Sequence, residues 1–265
     1  MSAKVYLVGA GPGDPELLTM CAARILGSAD VVLHDALVSA EVLALIPAKA
    51  KRIDAGKRCG QKLLTQDDIN LLLVSYAASN RVVVRLKGGD PLLFGRAGEE
   101  MAALRDAGVE FEVVPGISAA FAAAAAAGIS LTDRRITPQV LFTTMHRGAG
   151  KDSIPLRYID HSTTVVIYMP GSDYGHVARE LRENGWPSET PCAIVSQAAR
   201  PQQVVRTTSL AKLARQAALP APALMIVGRV VTQTEVSTGA AFTLATELRT
   251  SGESGVAVRA ERQWQ

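Results

Sequence analysis

The chain is short of cysteine, aromatic residues and net charge, and its one long uncharged run is mostly alanine. Cys21, Cys59 and Cys192 are its only cysteines. They lie far apart with no C-x-x-C pair, which argues against a disulfide framework and a zinc site and fits a reducing compartment. With 28 basic against 25 acidic residues the formal net charge is +3, which suits an anionic ligand but is too small to indicate a nucleic-acid or membrane binder. The amino terminus, MSAKVYLVG, lacks the basic segment and apolar core of a signal peptide, so Val5 to Val8 read as a first strand and the expected location is the cytoplasm. The uncharged run from Val113 to Thr132 is interrupted by Pro115, Gly116 and Gly128 and does not read as a membrane span. What is present, 265 residues of which 48% are apolar, can fill a sizeable core in one large or two modest domains.

Short β-branched runs at 5–8, 31–34, 51–54, 82–86 and 111–114 alternate with helix-length segments near 15–27, 39–46, 66–79 and 96–107. That alternation predicts a parallel sheet, and the near-continuous apolar run VVVRL predicts burial on both faces. After VVPG an alanine-rich helix over 117–127 leads into longer strands at 139–144, 163–169, 192–197, 204–208 and 223–231, with helices at 173–184 and 209–218. Several of these strands follow one another without a helix, which predicts a mixed sheet with antiparallel pairs. The expected organisation is an N-terminal α/β domain over 1–115, a C-terminal α/β domain over 116–235 and a polar, loosely docked tail over 236–265.

Two glycine loops carry the first functional signal. GAGPGDPELLT, residues 9 to 19, follows the first strand, but its glycines at 9, 11 and 13 miss the G-x-G-x-x-G spacing of a dinucleotide site. The spacing suits the common doubly wound adenosylmethionine methyltransferases, yet Leu7 stands where that class carries an acid, and Pro12 and Pro15 remove two N–H donors. A tight turn with no ligand is the plain alternative for this loop alone. RLKGGDPLLFGRAGEE, residues 85 to 100, again follows a buried strand and precedes a helix, with Gly88 and Gly89 for close backbone approach and Asp90 as an acceptor. Loops leaving the same edge of an open α/β sheet line one crevice. Neither is followed by a Walker lysine-serine pair, which argues against a nucleoside-triphosphatase.

GAGPGDPELLT, VVLHDALVS, AGKRCGQK with TQDDIN, VVRLKGGDPLLFGRAGEE, VVPGISAAFAAAAAAGISLTDR and PALMIVGRVV occur in an order and spacing that resembles the tetrapyrrole methylase superfamily, over roughly residues 4 to 231. Within it the match is to the uroporphyrinogen-III C-methyltransferases. The resemblance implies a two-domain fold, an N-terminal parallel sheet with helices and a C-terminal mixed sheet, with a cofactor trough between them. It implies methyl transfer from S-adenosyl-L-methionine, leaving S-adenosyl-L-homocysteine, to carbons 2 and 7 of uroporphyrinogen III, without a metal. The precorrin-2 formed through precorrin-1 feeds sirohaem, cobalamin or haem d1. A homodimer is the family expectation, with no nucleic-acid or membrane partner. A sister methylase acting on a later corrin intermediate is the alternative, and a non-catalytic ligand-binding protein of the same fold is a more remote one.

By the same resemblance the cofactor lies against Pro12, Gly88, Gly89, Asp90, Leu93, Ser118, Ala119, Met169, Ala198 and Ala223. For Met169 the residue type by itself also suits the apolar core. Asp35 and Lys57, at the ends of the second and third strands, take the places of proton acceptor and proton donor, since an attacked pyrrole becomes cationic and must exchange protons. From the residues alone, Asp35 as a helix cap near Ser39 and a solvated Lys57 are the favoured readings. Arg96 is a further family catalytic candidate, but guanidinium does not readily lose a proton. It suits carboxylate binding, with Glu99 positioning it or contacting pyrrole N–H groups. The substrate's eight carboxylates give Lys87, Arg134 and His146 a use, because basic side chains at strand ends can pair with them. Ala97, Ser130, Asp133, Met145 and Pro170 depart from the usual family pattern. An acid at 133, beside Arg134, would weaken or redirect binding of a polycarboxylate.

Overall fold

The computed structural model describes residues 4–56, 64–79, 82–145 and 159–233. The tail expected over 236–265 lies outside them. Strands β1 (Lys4–Gly9), β2 (Val31–His34), β3 (Lys51–Asp54), β4 (Val82–Lys87) and β5 (Phe111–Val114) form a five-stranded sheet in the order β3-β2-β4-β1-β5. All of its pairs are parallel. Helices α1 (Met20–Gly27) and α2 (Ala40–Leu43) cover one face, where Ile25, Leu26 and Val42 pack on Val8, Val32, Val84 and Leu86. Helices α3 (Gln66–Ala77) and α4 (Ala97–Asp106) cover the other, where Ile69, Leu73 and Leu104 pack on Leu7, Leu33 and Val83. Alternate strand residues therefore go to opposite layers, as strand geometry requires of a sheet covered on both sides.

The second sheet holds β6 (Val140–Thr144), β7 (Thr164–Tyr168), β8 (Pro191–Ser196), β9 (Val204–Ser209) and β10 (Ala223–Val227), in the order β6-β7-β10-β8-β9. The β6–β7 pair is parallel and the other three are antiparallel, as expected of a mixed sheet. Helix α5 (Ala119–Ala127) lies on one face, its small Ala120, Ala123 and Ala127 packed with Val166, Val195 and Ile226. Helices α6 (Tyr174–Glu183) and α7 (Leu210–Leu213) cover the opposite face through Val177, Leu181, Leu210 and Leu213.

Several predicted elements are shorter in the structure. The helix expected over 15–27 is a 3-10 turn, Pro15–Leu17, capped by Asp14, followed by α1, which starts only where the Thr19 hydroxyl accepts from Ala22 N–H. The strands expected through Met169 and Gln197 end one residue earlier, because both residues turn left-handed, at φ 49° and 50°. The run expected over 223–231 stops at Val227, where Gly228 takes φ 138°, and a 3-10 turn, Arg229–Gln233, follows. The segments expected as helices over 39–46 and 209–218 contain only α2 and α7.

Gly9 sits where β1, the loop after β4 and the segment after β5 converge. A Cβ there would stand 2.6 Å from Gly116 Cα and 2.8 Å from Gly89 O, both backbone atoms with little freedom to move. Gly9→Ala is expected to destabilise the fold by about 1–3 kcal/mol through overpacking, whereas Gly27→Ala, with nothing within 4 Å of the added carbon, is expected to be tolerated. Thermal unfolding of the two variants beside the parent measures this, and equal midpoints for all three would refute it.

Candidate functional site

Because β1 and β4 are parallel neighbours, the two glycine loops leave the same edge of the first sheet. Gly11 N–H donates to Gly89 O at 3.2 Å and Gly89 N–H to Gly11 O at 2.8 Å. Both residues take left-handed φ, 66° and 70°, which favours glycine at each. Asp90 organises the second loop, its carboxylate accepting from Leu92 N–H at 2.8 Å and from Gly116 N–H at 3.0 Å.

Contacts from the second half of the chain close the site. Arg200 donates through Nε to Pro12 O at 3.3 Å and through Nη2 to Leu37 O, so one guanidinium spans the loops after β1 and β2. The Tyr168 hydroxyl, at the end of β7, bonds the Ser118 hydroxyl and accepts from Ala120 N–H at 3.2 Å at the start of α5. Burial raises the Tyr168 phenol above its ordinary range, so it stays protonated and able to donate. Its ring lies 4.9 Å from that of Phe94.

Pro12, Gly88, Gly89, Asp90, Leu93, Ser118, Ala119, Met169, Ala198 and Ala223 all line one cavity between the two sheets. Tyr168, Arg200, Phe94 and Leu37 line it too and were not anticipated. A second cavity, of about 1050 Å³, adjoins the first. The two share Asp35, Leu37, Phe94, Gly95, Met169, Pro222 and Ala223. Met169 is not a core residue: it is 45% exposed and forms part of this shared wall.

Behind the wall lies a buried charge cluster. Arg85 Nε donates to Glu100 Oε1 at 2.8 Å and Arg85 Nη2 to the Asp35 carboxylate. Lys87 Nζ reaches both Glu100 oxygens, at 3.0 and 2.8 Å. Burial opposes the charge on Arg85, but Asp35 and Glu100 more than compensate, so its guanidinium is held above the usual arginine range. Burial, and next the Arg85 cation, pull the Lys87 ammonium below the ordinary lysine range against the attraction of Glu100. Asp35 does not cap α2, whose first turn is capped by the Ser39 hydroxyl.

The other anticipated residues separate by exposure. Lys87, expected as a substrate contact, has its side chain buried against Glu100 and lines neither cavity. Arg96 lines the larger cavity and makes two bonds to Glu99, at 2.7 and 2.6 Å, which hold its charge above the usual range. Arg134 is exposed and lines neither cavity. The neighbouring Asp133 is engaged with Arg135, whose hydrogen bonds hold its carboxyl down at about 2. Lys57 and His146 lie outside the described residues. Arg85 and Glu100 were missed, although the sequence held a signal for them. Two cations on one face of an otherwise apolar, buried strand require an anion, and Glu100 stands on the helix that follows.

The family model of Tetrapyrrole (Corrin/Porphyrin) Methylases matches residues 4–214. Among curated proteins the chain is 46% identical over 237 residues to a uroporphyrinogen-III C-methyltransferase of Paracoccus denitrificans (strain Pd 1222), covering 88% of this chain and 83% of that one. It is 45% identical over 233 residues to a siroheme synthase of Hahella chejuensis (strain KCTC 2396), covering 86% of this chain but spanning only half, 50%, of that relative. Among solved structures it is similar to the uroporphyrin-III C-methyl transferase of Thermus thermophilus complexed with S-adenyl homocysteine. The TM-score is 0.77 at 38% identity, over 87% of this chain and 100% of that one.

If Arg200 bridges the halves of the site, Arg200→Ala is expected to destabilise the protein by about 1–2 kcal/mol through the loss of its bonds to two backbone carbonyls. A urea-unfolding midpoint equal to that of the parent would count against the bridge.

Proposed function

The chain belongs to the tetrapyrrole methylase family, and we propose that it transfers methyl groups from S-adenosylmethionine to carbons 2 and 7 of uroporphyrinogen III. The product is precorrin-2, formed through precorrin-1, with S-adenosylhomocysteine released. The observation that carries this reading is the pair of adjoining cavities with Asp35 on the wall they share. A group transfer needs two ligands held face to face, and alignment of that kind lowers a barrier by several kcal/mol.

The smaller cavity suits the donor. Its wall combines the Gly88–Gly89 backbone, the Asp90 carboxylate, the Ser118 and Tyr168 hydroxyls and apolar Leu93, Val195 and Leu224. That set can hold a ligand with polar ends, an apolar ring and a positive charge, because Asp90 brings negative potential while its own oxygens anchor backbone amides. When bound, S-adenosylmethionine supplies the electrophilic sulfonium methyl. Asp35 accepts the proton that the methylated, cationic pyrrole must lose, and Arg85 holds that carboxylate in place. Arg96, kept in position by Glu99, pairs with a substrate carboxylate in the larger cavity. Lys57 as proton donor and His146 as a further substrate contact complete the reading.

On this reading the enzyme works as a cytoplasmic homodimer, and its product serves sirohaem or cobalamin synthesis. Among the described residues no helix is long and apolar enough to cross a membrane.

Incubating the protein anaerobically with uroporphyrinogen III and S-adenosylmethionine is expected to give mono- and then dimethylated product. If no methylated product forms, the substrate assignment fails, and turnover of a later corrin intermediate would identify the sister activity. Asp35→Asn, which keeps the size of the side chain but removes its charge, is expected to lower kcat about 10²- to 10⁴-fold, the usual contribution of a positioned acid or base. Full activity in that variant would remove Asp35 from the mechanism.

A further inference from the structure

Glu100 is fully buried, at 0% exposure, and lines neither cavity. It nevertheless sits one residue away, through space, from the proposed proton acceptor. Arg85 has Glu100 on its Nε and Asp35 on its Nη2, while its Nη1 lies 3.4 Å from the carbonyls of Leu33 and Leu86. Its donors are thus taken up on every side, with Glu100 as the only side-chain anchor apart from Asp35 among the described residues. Lys87 engages both Glu100 oxygens, and Gln66, on the wall of the larger cavity, donates to Oε1 at 3.4 Å.

Such a cluster is a poor way to stabilise a fold. Burying charged groups costs much of what their attraction returns, and apolar side chains of similar size often serve stability as well or better. The arrangement does provide rigidity where it meets the ligand cavities, at Arg85, which lines the larger one, and at the Asp35 carboxylate, which lines both and is 27% exposed. The geometry points to Glu100 as a positioning residue for methyl transfer: it fixes Arg85, and Arg85 fixes the Asp35 carboxylate on the wall between the two cavities. Lys87 is the counter-cation paired with Glu100 in the interior. This rests on the reading of Asp35 as the proton acceptor given above.

The decisive variant is Glu100→Gln, close to isosteric and lacking the charge. It is expected to lower kcat about tenfold or more, the scale of losing a hydrogen bond to a charged group, with KM for S-adenosylmethionine unchanged. The carboxyl ¹³C resonance of Asp35, recorded without substrate, is expected to move toward its position in Arg85→Lys, where the guanidinium pair is removed directly. Wild-type kcat together with an unmoved Asp35 resonance would overturn the proposal. A paired variant, Glu100→Gln with Lys87→Met, removes one anion and one cation and guards against misfolding from unbalanced charge. If its kcat returns to the wild-type value, Glu100 is only a counter-charge and the positioning role is wrong. Should the wild-type protein itself fail to methylate uroporphyrinogen III, the functional reading falls separately, and the Asp35 resonance still decides whether Glu100 acts on it.

Discussion

Two backbone hydrogen bonds between Gly11 and Gly89 hold the site together, and the rest of the architecture follows from what they require. The loops after β1 and β4 must approach within bonding distance, so those strands must be neighbours and parallel. Close approach at that edge leaves no room for a Cβ at Gly9, where the loop after β4 and the segment after β5 also converge. Once the loops are joined, Asp90 ties them to Gly116, which leads into α5, and Arg200 ties Pro12 and Leu37 to the second half of the chain. The cavity is therefore a by-product of backbone pairing. Its walls include glycines and other small residues, which lets a ligand reach amides and carbonyls directly.

The buried charges solve a different problem. Backbone can shape a cavity, but a group that moves a proton must be a side chain, and side chains carry rotamer freedom that only packing or bonding removes. Asp35 follows a short strand and its carboxyl is partly exposed, so on the proposed reading its orientation depends on Arg85. Arg85 in turn depends on a carboxylate from α4, 15 residues further along the chain. Left-handed backbone at Phe94, Arg96 and Met169 adds to this picture, with φ of 54°, 57° and 49°. All three line the larger cavity, and conformations of that kind cost roughly 1–3 kcal/mol each where the surrounding structure enforces them.

Much of this was legible in the sequence. The alternation of VYLV, VVLH, KRID, VVVRL and FEVV with helix-length segments marked a parallel sheet. The change of rhythm after VVPG marked a mixed one. The residues assigned to the cofactor by resemblance all lie on one cavity, because they belong to loops and element ends whose positions follow from strand order. The surroundings of the charged residues were less legible. Lys87 and Arg96 are both basic residues near a glycine loop, and nothing in their local sequence separates them. Lys87 shares a strand face with Val83 and Arg85 and points under α4, whereas Arg96 precedes that helix and stays at the cavity.

The sequence alone determined the elements, their order and the two glycine loops, because period, propensity and turn chemistry are local properties of neighbouring residues. Tertiary structure decided which cations are buried and which face a ligand, and which carboxylate partners which guanidinium. Those outcomes depend on what covers a strand face, and the covering helix is brought there by folding rather than by adjacency in the chain. Glu100 shows the difference: an acidic residue beside Glu99 in the sequence, it lies fully inside the protein with Arg85 and Lys87, while Glu99 stays at the surface with Arg96.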